Sequence, residues 1–220
     1  MLANSAGIAR SAAELGADRT RVVHLGTELP SAPSARPDDP TLVTVAHLIE
    51  RKRHADVLRA LWTLRERHPS LRYRIVGDGP ERPRLEQLAA QLGVADRVQF
   101  TGQLDPAAAI EAARTATLFV MPSVDEALGV AYLEAMAGWV PAVAALGEPG
   151  PSEIANAGDG IRLVAPGDIE QLAGTIDRLV SDRGLRAELG ARARATIESS
   201  FTWEGCGRAT VAAYEEALRG

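Results

Sequence analysis

Residues 41–80 read TLVTVAHLIERKRHADVLRALWTLRERHPSLRYRIVGDGP. The β-branched, apolar run at 41–46 predicts a strand, and the amphipathic stretch near 54–68 predicts a helix. A second strand-like run, LRYRIV at 71–76, stops at Gly77-Asp78-Gly79-Pro80, a turn signal. Strand, helix and strand in this order form a crossover unit, and such a unit brings its two strands together in parallel.

The same alternation runs on along the chain. Strands are expected at 97–101, 117–121, 141–145 and 161–164, with helices near 81–93, 106–115, 128–138 and 151–157 between them. Helices near 168–181, 184–199 and 203–219 close the chain, and TRVVHL at 20–25 predicts one more short strand before a Pro-rich loop at 30–40. Repeated units of this size predict an α/β fold, with a doubly wound, Rossmann-like parallel sheet covered by helices on both faces.

Glycines and charges collect after each strand. His47 and the run Arg51-Lys52-Arg53-His54 follow the first, Gly77-Asp78 the second, Gly102 the third, and Pro122-Ser123-Val124-Asp125-Glu126 the fourth. In open parallel sheets that edge is where ligands bind. Loops favour such residues in any case.

The stretch SVDEALGVAYLEAMAGWVPAV at 123–143 makes a sharper case. Its expected helix, from about 128 to 140, carries one charged residue, Glu134. A helix apolar on nearly all sides is buried, and a buried carboxylate needs partners or a proton. Glu126 precedes the helix start, and Gly129 in the first turn leaves backbone N–H groups open to an anion such as phosphate. Glu134 falls about 9 Å further along the axis. An anion site with a carboxylate on each side suits a diphosphate between two hydroxylated rings, with the nearby basic run as counter-charge. The same residues also fit a bland arrangement, with Glu126 a capping carboxylate and Glu134 an ion pair at the core edge.

The chain has 220 residues, 46% of them apolar and 24% charged, with net charge −5. That balance gives no general attraction to nucleic acid or anionic membrane. Cys206 is the only cysteine, so neither an intrachain disulfide nor a Cys-based zinc site can form. The four histidines lack metal-ligand spacing. No run of about 18 apolar residues is present, so no integral membrane segment is expected. Nor does the N-terminal stretch read as a secretory signal, which leads to the expectation of a cytoplasmic protein.

The segment EALGVAYLEAMAG at 126–138 resembles the E-x-F-G-x-x-x-x-E motif of family-four retaining glycosyltransferases, enzymes with two facing Rossmann-like domains in the arrangement called GT-B. Other segments fit in order: 44–52 resembles G-R-L-x-x-x-K-G, 76–80 V-G-D-G-P, 97–102 R-V-x-F-x-G, 141–153 P-V-V-A-x-x-x-G-G-x-x-E, and Phe201-Thr202-Trp203 the F-S-W before a terminal helix. The resemblance implies that Glu126 is catalytic and faces the donor hexose, and that Glu134 binds ribose hydroxyls. It assigns Lys52 to the diphosphate, with His47 at the usual Arg position, and Gly129 and Val130 as N–H donors. Gly77 and Asp78 join the donor site, and Gln99 and Phe100 belong to a strand end bordering the base. It implies no cofactor and no required metal. The glycine after the family's Lys is Arg53 here, and the motif's Phe is Leu128.

The resemblance further implies that the chain is a single GT-B half with C-terminal helices. Residues 1–29 correspond to the passage between two domains, 30–40 to a loop, and 41–220 to the nucleotide-sugar-binding domain, the acceptor-binding N-terminal domain being absent. On this reading the half is inactive or weakly active alone. Its partners are a nucleotide sugar and the missing N-terminal domain. A second reading is a non-catalytic interaction module that pairs with a separate N-terminal subunit or self-associates. A third is a related GT-B enzyme, such as a sugar epimerase or a phosphorylase, and a phosphorylase would need a lysine for pyridoxal phosphate. The only lysine is Lys52.

Overall fold

The computed structural model describes residues 1–219. In chain order the elements are β1 (Leu2–Ala3), α1 (Ala6–Glu14), β2 (Arg21–Val22), β3 (Thr41–Val45), α2 (His54–Thr63), β4 (Arg72–Val76), α3 (Arg82–Gln91), β5 (Val98–Gly102), α4 (Pro106–Arg114), β6 (Leu118–Met121), α5 (Val130–Ala137), β7 (Ala142–Ala145), α6 (Pro149–Ala157), β8 (Ile161–Val164), α7 (Ile169–Ser181), α8 (Arg183–Ser200) and α9 (Trp203–Arg219). The α/β class and the parallel sheet expected from the alternation are both present. Six strands, all parallel, lie in the order β5-β4-β3-β6-β7-β8.

Alternation along each strand builds two cores. Leu42, Tyr73, Ile75, Leu118, Val120 and Val143 face one side, where α2, α3 and α7 cover them. Val43, Val76, Phe119, Met121, Ala142 and Ala144 face the other, under α4, α5 and α6. Successive side chains of a strand point to opposite faces, so a strand buried on both sides reads as a continuous apolar run.

The strand order positions the site. From β3 the chain moves outward through β4 to β5, then returns to place β6 on the other flank of β3. The connections leaving β3 and β6 therefore diverge over opposite faces, and a crevice opens between their first residues. This is the topological switch point of an open parallel sheet.

Several element ends differ from the sequence reading. The strand expected at 20–25 is only Arg21–Val22, and it pairs in parallel with Leu2–Ala3 in a separate two-stranded sheet. The helix expected to 68 stops at Thr63, capped by Leu64, and residues 64–67 continue as turns. The helix expected from 128 begins at Val130, because Gly129 takes a left-handed conformation (φ 81°) that no helix can continue through. Residues 1–29 lie against the body. The Ala6 N–H donates to the Glu153 carboxylate, whose other oxygen is 3.0 Å from His24 Nε2.

Candidate functional site at the switch point

After β3 the chain makes a short 3-10 turn, Glu50–Lys52, that ends on Arg53 in the left-handed region (φ 56°) before α2 begins. Left-handed backbone favours glycine, so the geometry explains why the resemblance has glycine where this chain has Arg53. Arg53 Nε is 2.6 Å from the Asp56 carboxylate. The turn swings Lys52 across the crevice. Its Nζ is 2.5 Å from Glu126 Oε2, and both side chains are close to nine-tenths buried.

Glu126 sits in the loop between β6 and α5. Its carboxylate also accepts a hydrogen bond from Ser123 Oγ at 2.8 Å. The Lys52 ion pair answers the cost of burying the charge, because a carboxylate this enclosed needs a cation and hydrogen-bond donors together. The capping reading does not describe Glu126: its side chain bonds Lys52 and Ser123 and caps no helix N–H. Tyr132 lies behind it. Burial raises the Tyr132 phenol well above its ordinary range, offset in part by its hydrogen bond with Ser123.

The N-terminus of α5 has no side-chain cap. The backbone N–H groups of Ala127, Leu128 and Gly129 find no acceptor among the described residues. Val130 is the first helical residue, so its N–H is one of the orphan donors of the first turn. Together these groups form a concentration of positive potential one residue away from the Lys52–Glu126 pair.

Glu134 lies four residues into α5, roughly 6 Å along the axis from Val130. It is half-buried, and no cation pairs with it among the described residues. Burial pushes its carboxyl up from the usual carboxylate range, and the more distant Arg114 guanidinium offsets part of that. The core-edge ion pair is therefore not formed.

A concavity opens at the same carboxyl edge of the sheet. It encloses about 300 Å³ over the carboxyl ends of β3, β4 and β5, lined by Val45, Ala46, His47, Val76, Gly77, Asp78 and, from the following loop, Gln103 and Leu104. His47 is exposed. Gly77 has φ 131°, and a Cβ there would sit 2.0 Å from the Ala46 carbonyl oxygen. Only glycine fits that approach. Asp78 accepts the Gly79 N–H at 2.8 Å and closes the turn.

Of the residues expected at the donor site, the structure brings Lys52, Glu126, Gly129, Val130 and Glu134 to the loop and first turns of α5, with His47, Gly77 and Asp78 lining the cleft over β3, β4 and β5. Gln99 and Phe100 are not in either group. Gln99 Oε1 accepts from Arg74 Nε at 3.0 Å partway along β5, and Phe100 packs onto the core beneath α2 and α3. The cleft wall is formed instead by residues three to four positions further along the chain. It is the bend at Gly102, φ 73°, that brings Gln103 and Leu104 to the cleft. Ser123 and Glu148 also belong to the site, although no motif pointed to them. Both lie in strand-end clusters whose polar residues are legible only as loops.

A six-stranded parallel sheet with helices on both faces and an uncapped helix N-terminus at its switch point defines the doubly wound, Rossmann-like class of α/β domain. The chain belongs to the family of glycosyl transferases group 1, which it matches over residues 27–196. It is 32% identical over 215 residues to a lipopolysaccharide core biosynthesis glycosyltransferase of Rhizobium meliloti, LpsE, covering 93% of this chain and 60% of that protein. It is 35% identical to a D-inositol 3-phosphate glycosyltransferase of Streptomyces griseus, covering 83% of this chain and 40% of that protein. The crystal structure of Anabaena HepE in complex with UDP and glucose superposes with a TM-score of 0.85 at 22% identity, covering 97% of this chain and 62% of HepE. The chain thus spans at most about three fifths of the length of these relatives. No helix among the described residues is long and apolar enough to cross a membrane.

Proposed function

We propose that this chain is the donor-binding half of a family-four retaining hexosyltransferase, which holds a nucleotide-diphosphate sugar for transfer to an acceptor bound by an N-terminal domain. The observation that carries this reading is the Lys52–Glu126 pair beside the uncapped start of α5, with Glu134 unpaired one turn further on. A diphosphate laid on the N–H groups of residues 127–130 would meet Lys52 on one side. Glu126 would then face the hexose hydroxyls, and Glu134 the ribose hydroxyls, which satisfy a half-buried carboxylate. The base would enter the cleft beside His47 and Gln103.

Transfer would proceed on one face of the sugar, with the leaving diphosphate taking the acceptor proton. The protein's part is to stabilise charge as the diphosphate leaves, through Lys52 and the fixed N–H dipoles of α5. No metal enters this scheme. The half alone holds the donor and transfers weakly or not at all.

Calorimetric titration with UDP-, GDP- and ADP-hexoses tests the reading. One of them should bind, and the Lys52→Ala variant should bind it at least tenfold more weakly. Absence of heat with every nucleotide sugar at millimolar concentration would overturn the assignment.

An interaction module remains the second reading, and α9 is the observation that favours it. None of its residues is buried, and Trp203, Val211, Tyr214 and Leu218 form an exposed apolar stripe along one side. Sedimentation equilibrium separates the two. A dimer with no nucleotide binding supports the module, and a monomer that binds nucleotide sugar supports the donor half.

A further inference from the structure

The peptide of Glu126 is gripped by a different strand connection. The Glu126 N–H donates to Glu148 Oε2 at 3.0 Å, and the Glu126 carbonyl accepts from the Gly150 N–H at 3.1 Å. Behind this grip the Leu128 backbone lies so close to Gly150 that a Cβ there would come within 2.5 Å of Leu128 Cα. On its other side the loop's main chain is held by the Val124 N–H bond to the Arg51 carbonyl and by the Arg51 guanidinium on the Asp125 carbonyl. Asp125, between these and Glu126, sits at φ 54° in the left-handed region.

Glu148 pairs with no cation among the described residues, and its carboxylate makes a single hydrogen bond, to Glu126. A negative group beside a site built for a polyanion opposes binding. Its placement is accounted for by the one thing it does, which is to reach the Glu126 N–H with an acceptor oxygen at the full length of its side chain.

We propose that Glu148 is a positioning residue: by holding the Glu126 main chain it keeps the Glu126 carboxylate on Lys52 and aimed at the hexose subsite. The first half of this statement concerns the ligand-free chain. The second half rests on the donor-binding reading above.

Lys52 is the only lysine of the chain, so its reactivity can be read site by site. Acetic anhydride labelling followed by peptide mapping reports Lys52 against the N-terminal amine as internal standard. Glu148→Ala should free Lys52 and raise its acetylation rate about tenfold. Glu148→Asp keeps the charge but withdraws the acceptor, and should behave as the alanine variant does. Glu148→Gln keeps the acceptor and should label as slowly as the parent. The neutral acceptor of full length and the shortened acid thus separate geometry from charge, and the aspartate variant serves if the alanine variant does not fold. Equal rates in all four proteins overturn the proposal. So does a slow aspartate variant beside a fast glutamine variant.

The second arm compares the dissociation constants of UDP with UDP-glucose, and of GDP with GDP-mannose. Glu148→Ala and Glu148→Asp should bind the free nucleotide as the parent does, and lose about tenfold of the gain that the hexose brings. Glu148→Gln should keep that gain, and an unchanged gain in the alanine and aspartate variants overturns the hexose-positioning role. If the parent binds no nucleotide, the donor reading and the hexose half of the proposal fall together, and the labelling arm still decides whether Glu148 holds Glu126 on Lys52.

Discussion

Removing Lys52 should cost more stability than removing the whole pair. At 2.5 Å the two charges attract by about 7 kcal/mol at an effective dielectric near 20, while each ion gives up several kcal/mol of hydration on burial. The net contribution of the intact pair is therefore small. In the Lys52→Met variant the Glu126 carboxylate keeps only Ser123 Oγ, in a setting where its side chain is 10% exposed. Stranding one partner of a buried pair costs about 3 kcal/mol. The Lys52→Met/Glu126→Gln double variant has no buried charge to strand and should lose about 1 kcal/mol or less. Urea unfolding of the four proteins of this cycle, read by circular dichroism at neutral pH, gives the numbers directly. A Lys52→Met cost below about 1 kcal/mol, or a double variant as destabilised as the sum of the singles, would refute the claim that the pair is a mutually dependent buried unit.

Further expectations follow from neighbouring residues. Gly150→Ala should destabilise the fold by about 2 kcal/mol or more and weaken nucleotide-sugar binding, because the new Cβ meets Leu128 backbone that cannot give way; thermal unfolding and calorimetry check both. His54 is buried, and desolvation, aided by the Lys52 charge and opposed by the His47 carbonyl, lowers its folded pKa from 6.5 to about 4. Its folded value lies below its unfolded one, so the stability it contributes is complete above pH 6.5 and drains away as the pH falls toward 4, by roughly 3 kcal/mol in all. Urea midpoints from pH 7 to 4 should fall less steeply in His54→Gln than in the parent, and parallel curves would count against the assignment. Glu134→Gln should leave the ligand-free chain as stable as the parent or more stable at neutral pH, since burial opposes the Glu134 charge. The same change should weaken nucleotide-sugar binding about tenfold; a stability loss with unchanged binding would show that Glu134 is structural.

Much of the architecture was legible in the order of residues. Short continuous apolar runs alternating with amphipathic stretches point to parallel strands with helices on both faces, since that arrangement buries runs such as 41–46 and 117–121 on two sides. The turn at Gly77 was legible too, because a Gly-Asp-Gly-Pro sequence after an apolar run signals a turn and only glycine meets the close approach found there. Boundaries were less so. The end of the helix near 64 and the start of α5 depend on backbone conformations that propensity does not report.

The candidate site shows the limit most clearly. The chemistry of Glu126, Lys52 and Glu134 could be picked out by type and spacing, because a lone carboxylate in an apolar helix and a basic run at a helix start are each costly without a partner. Their mutual arrangement could not, since residues 52 and 126 are 74 positions apart and every pairing of loops was open until the strand order was known. The placement of β6 beside β3 puts Lys52 against Glu126. The turn after β7 puts Glu148 on the Glu126 peptide, and the extra bend at Gly102 moves the cleft wall from Gln99 to Gln103. Local sequence therefore determined which elements form and which residues carry charge into the interior, because those follow from short-range sterics and burial. The tertiary structure alone decided which charges meet, because that depends on contacts between segments with no sequence code linking them.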